Sequence, residues 1–189
     1  MQDLNPTLWR TCKMLAGKTR VRLLRQLHAH PGQSVSSLGK RVGIHQPAAS
    51  QELRRIQSRG LLQAEHRGSS LIYRTAADPQ VSTAAPLLKA IQSALSGLPP
   101  ERDEDMCAIA TGLSHERRIR ILRALISGPH SPLDLQYTLH IPAQPFRKPM
   151  LTLRASGFVV PAGHRVQFAV PDHPLAKALA KLLLQGVAR

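Results

Sequence analysis

The side chains best suited to recognition chemistry stand in one short run, Gln46-Pro47-Ala48-Ala49-Ser50-Gln51-Glu52-Leu53-Arg54-Arg55-Ile56. A Gln amide offers a donor and an acceptor side by side, and Arg a rigid fork of donors. These match the hydrogen-bonding edges of adenine and guanine, and a Ser hydroxyl pairs with either. Wound as a helix, the run places Ala49, Leu53 and Ile56 on one side, where they form a core stripe. Pro47, Ser50, Gln51, Arg54 and Arg55 fall on the other, with Gln46 opening the helix beside them. Lys40 and Arg41 lie just upstream and Arg67 downstream at a turn, where cations meet phosphates or a minor groove. Arg74 is a further candidate there. Arg20, Arg22 and Arg25 read as additional phosphate contacts, which position a protein on a duplex without reading sequence.

Other chemistries lack their residues. There is no Gly-rich phosphate loop, no clustered Ser, His and Asp, and no pair of carboxylates placed for acid–base work. The nine histidines are scattered. Asp172 and His173 are two ligands where a tetrahedral metal site needs more, and His28 and His30 do not share a helix face. Cys12 and Cys107 are too few for a disulfide framework and read as small buried residues, one in the first helix of each half. No enzyme, no metal and no cofactor are expected.

The elements that must hold the run are legible from periodicity and punctuation. A helix over about 7–16 comes first. Val21, Leu24 and Leu27 recur at helical spacing over about 18–30, and Pro31-Gly32 ends that helix. Ser34 is a fitting N-cap for a short helix with Val35, Leu38 and Val42 inside. Gly43-Ile44-His45 makes a tight turn, and Pro47 suits the first turn of the next helix, which Gly60 caps. Strands over 61–66 and 70–74 flank a turn at Arg67-Gly68-Ser69, and a last helix over about 81–96 shows Leu87, Leu88, Ile91 and Leu95 on one face.

The pattern then repeats. Arg20-Val21-Arg22-Leu23-Leu24-Arg25 is similar to Arg118-Ile119-Arg120-Ile121-Leu122-Arg123, Gln46-Pro47 to Gln144-Pro145, Gly60-Leu61-Leu62 to Gly157-Phe158-Val159, and Pro86-Leu87 to Pro174-Leu175, all in order. The spacing predicts two copies of one fold, a domain at 1–97 and a divergent one at 101–189. The boundary lies at Gly97-Leu98-Pro99-Pro100 and the acidic cluster after it. The fold class expected is mainly α, with small β-hairpin wings on two tandem winged helix-turn-helix domains.

Residues 15–75 resemble the arsenic-repressor (ArsR-like) family of winged-helix regulators. The resemblance rests on Ile44 to Ile56 followed by Gly60-Leu61-Leu62, with Arg67-Gly68 and Tyr73-Arg74 as the wing. It implies regulation of transcription through double-stranded DNA, and dimers built by first and last helices. A fused pair could make that contact internally as a pseudo-dimer, using Leu175, Leu179, Leu182 and Leu183 against their counterparts, or as a homodimer of tandem chains. The metal-binding residues of some members of that family are missing here, and any effector is unknown. In the second copy Pro149 falls inside the matching helix, so that helix either starts late, near Pro149, or bends. Phe146, Met150 and Leu153 form its core stripe. With no Arg pair outside, this copy is expected to be a structural or partner-binding half, the alternative being DNA contact through Arg147, Lys148 and Arg165.

Charge agrees with a polyanionic partner. Lys and Arg exceed Asp and Glu by 26 to 11, a net of +15, and residues 1–75 alone carry +10. Aromatic residues are 3% of the chain, too few for the stacking platforms of single-strand binders. No stretch reads as a membrane span or signal peptide, so a cytoplasmic protein is expected. Two other readings stay open. One is a winged-helix protein-interaction module, which would expose an apolar patch on the groove-facing helix. The other is a nonspecific nucleic-acid binder.

Overall fold

A computed structural model describes residues 7–185, so the outermost ends of the two expected domains, 1–6 and 186–189, lie outside the described residues. In chain order the elements are α1 (Leu8–Leu15), α2 (Lys18–Ala29), β1 (Gln33–Ser34), α3 (Val35–Val42), α4 (Gln46–Gln57), β2 (Leu62–Arg67), β3 (Ser70–Thr75) and α5 (Ala84–Gly97). A single 3-10 turn at Pro100–Arg102 leads to α6 (Asp103–Leu113), α7 (Glu116–Ile126), α8 (Pro132–Leu139), α9 (Ala143–Ala155), β4 (Val159–Ala162), β5 (Arg165–Phe168) and α10 (Pro174–Gln185). The chain is mainly helical with two small antiparallel hairpins, the expected class.

Two compact units emerge, one of Gly17–Cys107 and one of Leu8–Ala16 together with the chain from Ala108 onward. This division differs from the sequence boundary at both ends. Helix α1, read as the start of the first domain, is counted with the second unit, and its Thr11, Cys12, Met14 and Leu15 are buried. The acidic cluster, read as marking the boundary, forms the first turn of α6, and its carboxylates stay with the first unit. Negative charge is favourable at a helix N-terminus, so Asp103, Glu104 and Asp105 start the helix instead of separating domains.

The first unit's core follows from the apolar stripes. Leu24 and Leu27 of α2, Leu38 of α3, and Ala49, Leu53 and Ile56 of α4 are fully buried, as are Leu61 and Tyr73 beneath the hairpin. β2 and β3 pair from Leu62↔Thr75 to Arg67↔Ser70. The two-residue β1, which the sequence reading passed over, adds Gln33↔Tyr73 and Ser34↔Ile72 on the other side of β3. On α5, Leu87, Leu88, Ile91 and Leu95 are buried.

One polar anchor joins these pieces. The Arg25 guanidinium donates from Nε to both Asp103 oxygens, at 2.9 and 2.8 Å, and from Nη2 to Oδ1 at 2.6 Å. It also donates to the carbonyls of Leu95 at 3.0 Å and Leu98 at 3.1 Å, at the end of α5, where helix carbonyls lack intrahelical partners. Both side chains are about 15% exposed. Arg25 is therefore an internal tie and not the phosphate contact read from the sequence.

The second unit uses the same order of helix, helix, helix, hairpin, helix. Phe146, Met150 and Leu153 are buried as expected, and so are Leu175, Leu179 and Leu183, whereas Leu182 is half-buried. Helix α9 begins at Ala143, well ahead of Pro149, so the late start does not occur. Pro149 has no amide hydrogen for the carbonyl of Pro145 one turn back. That carbonyl instead accepts from Nη1 of Arg117, at 3.4 Å. Helix α7 is capped by His115, whose Nδ1 accepts from the amide of Arg117 at 3.0 Å.

Replacing Arg25 by Met should lower the free energy of unfolding by about 3–5 kcal/mol, because Asp103 and two carbonyls lose their donor. Adding Asp103→Leu should recover part of the loss in a double-mutant cycle followed by urea denaturation. A second prediction concerns pH. Burial pushes His115 below its ordinary value of 6.5, and the Arg118 and Arg117 charges push the same way. The unfolded chain then binds the proton more tightly, so the cap's contribution is present above about pH 6.5 and is lost as pH falls through the lower folded value. His115→Asn, which caps without titrating, should flatten the acid limb of stability against pH in the same denaturation assay.

Candidate nucleic-acid interface

The turn that sets α4 against α3 is built from two glycines. Gly43 ends α3 at φ 75°, in the left-handed region, and returns its amide to the carbonyls of Gly39 and Lys40. Gly39 is buried where the two helices meet: a Cβ there would stand 2.9 Å from the carbonyl oxygen of Ile44 and 3.4 Å from Cβ of Ala49. Helix α4 then starts with Nδ1 of His45 accepting from the Ala48 amide at 3.3 Å and with Pro47 in its first turn.

The buried stripe fixes what α4 presents outward. At 100° per residue, Pro47, Gln51 and Arg54 fall within about 60° of one another on the face away from the core, and all three are exposed. Gln46 and Arg55 are also exposed, while Ser50 is half-buried at the edge of the stripe. Lys40 and Arg41 stand exposed in the last turn of α3. Arg67 ends β2 beside the turn at Gly68-Ser69, 70% exposed and paired to Glu65 at 2.5 Å. Arg74, on β3, donates to Oε1 of Gln63 at 3.0 Å.

The two arginines of α4 are not equivalent. Arg55 Nη1 lies 2.5 Å from Oε1 of Glu52, one turn back. The other oxygen of Glu52 accepts from Nη1 of Arg20 on α2, also at 2.5 Å, with both of those side chains less than a fifth exposed. Glu52 therefore bridges α2 and α4 and holds Arg55 from one side. The side chain of Arg54 has no hydrogen bond or ion pair among the described residues, and neither do those of Lys40 and Arg41. Arg20, read from the sequence as a phosphate contact, points to Glu52 instead. Arg22 remains exposed. Glu52 went unremarked in the sequence reading, although its spacing of three from Arg55 is the signal for such a pair.

Charge by unit also differs from charge by position. Gly17–Cys107 carries thirteen basic and seven acidic side chains, a net of +6, because the α6 carboxylates belong to it. Leu8–Ala16 with the chain from Ala108 carries thirteen basic and three acidic, a net of +10. The excess read over residues 1–75 is thus offset within its own unit, with Asp103 on Arg25 and Glu104 on Lys18 at 2.5 Å. Arg41 and Arg22 border a cavity of about 290 Å³, whose wall includes Lys18, Glu104 and Cys107. Both cysteines are buried, and burial pushes each thiol pKa upward. Among the described residues no cluster of His, Cys, Asp or Glu could hold a metal ion, and no helix is long and apolar enough to cross a membrane.

Residues 18–69 match the model of the MarR family. The match covers α2, β1, α3, α4 and β2 with its turn, the elements that carry every candidate side chain of the first unit named above except Arg74. It supports a winged helix-turn-helix regulator family for this segment and, at the level of that family, a DNA-binding transcription regulator. The arsenic-repressor resemblance is not what the match identifies. No curated protein and no solved structure matches the chain.

If Glu52 supports α4 through Arg20, Glu52→Ala should cost about 1.5–3 kcal/mol of stability, the range for a hydrogen bond to a charged group. Arg20→Ala should cost a similar amount, and the double variant should cost less than the sum in thermal denaturation monitored by circular dichroism.

Proposed function

We propose that this chain regulates transcription by sequence-specific binding of double-stranded DNA, with α4 of the first unit in the major groove. The observation that carries the reading is the coincidence of the MarR-family match with a helix whose exposed face is Pro47, Gln51 and Arg54. Gln51 and Arg54 supply base-edge contacts, with Gln46, Ser50 and Arg55 beside them. Arg55 joins only by sharing or exchanging its partner Glu52. Lys40 and Arg41 take phosphates next to α4, and Arg67 reaches backbone or minor groove from the hairpin turn. The second unit is a divergent copy of the same winged helix-turn-helix, in tandem with the first. Its element order and the even spacing of its helix caps support that part of the proposal.

The test begins with selection from a random duplex pool at physiological salt, which should enrich a motif. On that motif Arg54→Ala should cost about 1–3 kcal/mol and relax the preference at one base pair. Lys40→Ala and Arg41→Ala should weaken binding to all duplexes alike and lower the slope of log affinity against log salt by about one each. An unenriched pool, or an Arg54→Ala variant with unchanged affinity and preference, overturns the assignment.

A further inference from the structure

We infer that the outer faces of α8 and α9 in the second unit dock an acidic, amphipathic protein segment. The inference does not depend on what the first unit binds.

The helix caps allow the two units to be compared residue by residue. The N-cap serines Ser34 and Ser131, the left-handed residues Gly43 and His140, and the positive-φ glycines Gly60 and Gly157 are each 97 positions apart. Residues between them correspond without a gap, which places Gln46 opposite Ala143 and shifts the sequence pairing of Gln46-Pro47 with Gln144-Pro145 by one. Core positions keep their character: Leu38 and Leu135, Ala49 and Phe146, Leu53 and Met150, Ile56 and Leu153 are all buried.

The outer positions change in kind. Where the first unit has Ser36, Lys40 and Arg54, the second has Leu133, Tyr137 and Leu151, exposed by 75, 85 and 57%. Leu133 and Tyr137 are four residues apart on α8 and form one stripe. Single exposed leucines need no account. Among the described residues, three of the five large exposed apolar side chains stand at positions that are polar or charged in the other unit. Tyr and large apolar groups inside a polar rim are the composition of an interface core.

The rim identifies the occupant. Lys148 and Arg154 flank Leu151 at three residues on either side, Arg147 is exposed next to them, and Arg120 donates to the Leu139 carbonyl at the end of α8 at 3.2 Å. Asp134, the one carboxylate on α8, is engaged in the capping box with Ser131. With a net of +10 on the unit, the complement is an apolar centre bordered by Asp and Glu. A second copy would bring the same basic rim against itself. A duplex would meet Tyr137 and Leu151 where the first unit offers Lys40 and Arg54, with no donor at Leu151 for a base edge.

Random peptides displayed on phage, selected on the full chain, are the probe. The expected result is enrichment of sequences combining Asp and Glu with Leu, Phe or Trp. A synthetic peptide from that set should bind about tenfold or more weakly to Tyr137→Ser and to Leu151→Ser, hot-spot losses at exposed positions that leave the far-ultraviolet circular dichroism unchanged. Lys148→Glu should weaken it as well, and added salt should do the same. The inference is overturned if no such peptides are enriched or if the variants bind them as the parent does. It is equally overturned if Tyr137→Ser and Leu151→Ser abolish self-association in sedimentation equilibrium, or if they weaken duplex binding, which would return this face to the DNA.

Discussion

The guanidinium of Arg25 is the point at which the first unit is closed. It lies on α2, yet its hydrogen bonds end at the last turn of α5 and the first turn of α6. A charge kept mostly from water is tolerable only when its donors are used, and here a carboxylate and two orphan helix carbonyls use them. The same helix holds α4 through Arg20 and Glu52, and its Leu24 and Leu27 are buried, as is the core stripe that α4 contributes. Helix α2 thus sets the outward angle of α4 from one side and receives α5 and α6 on the other.

This arrangement divides the basic residues into two kinds. Arg20 and Arg25 are structural, spending their charge on Glu52 and Asp103. Lys40, Arg41 and Arg54 leave theirs to solvent and so to whatever anion arrives. Arg55 stands between, because its partner Glu52 is already neutralised in part by Arg20. A phosphate or base edge drawing Arg55 away would leave Glu52 its buried pair. Surface pairs such as Lys18 with Glu104 contribute little to stability, but they still lower the field that a duplex would meet.

The helices and hairpin of the first unit were legible because burial there follows period: Val35, Leu38 and Val42, then Ala49, Leu53 and Ile56, fall inside as spacing requires. The outward set on α4 was legible for the same reason, since the face away from a known stripe is exposed. What was not legible depends on partners distant in sequence. Nothing local says that α1 counts with the second unit, that Arg25 meets Asp103, or that the two-residue strand Gln33–Ser34 pairs with β3. The alternatives expected at Pro149, a late start or a bend, weighed the missing amide but not Arg117, which supplies a donor to the carbonyl that Pro149 leaves open. The run of acids after Gly97-Leu98-Pro99-Pro100 marked a domain boundary because its composition breaks sharply from what precedes it. Its role as the first turn of α6 depends on the helix that follows.

The correspondence at 97 residues separates what the fold demands from what function is free to change. Buried positions exchange Ala49 for Phe146 and Leu53 for Met150. Those are volume changes within an apolar constraint, absorbed by repacking. Exposed positions carry no such constraint, since a Lys or a Tyr on the outside of α3 or α8 alters stability little. Chemistry there drifts until a partner fixes it. Cationic and amide groups on one unit's outer face, and large apolar groups on the other's, are therefore differences the scaffold neither requires nor resists. A similar element order in two units does not give them one task. The exposed side chains of α3 and α4 and those of α8 and α9 differ in chemistry, cationic and amide on the first pair and apolar within a basic border on the second.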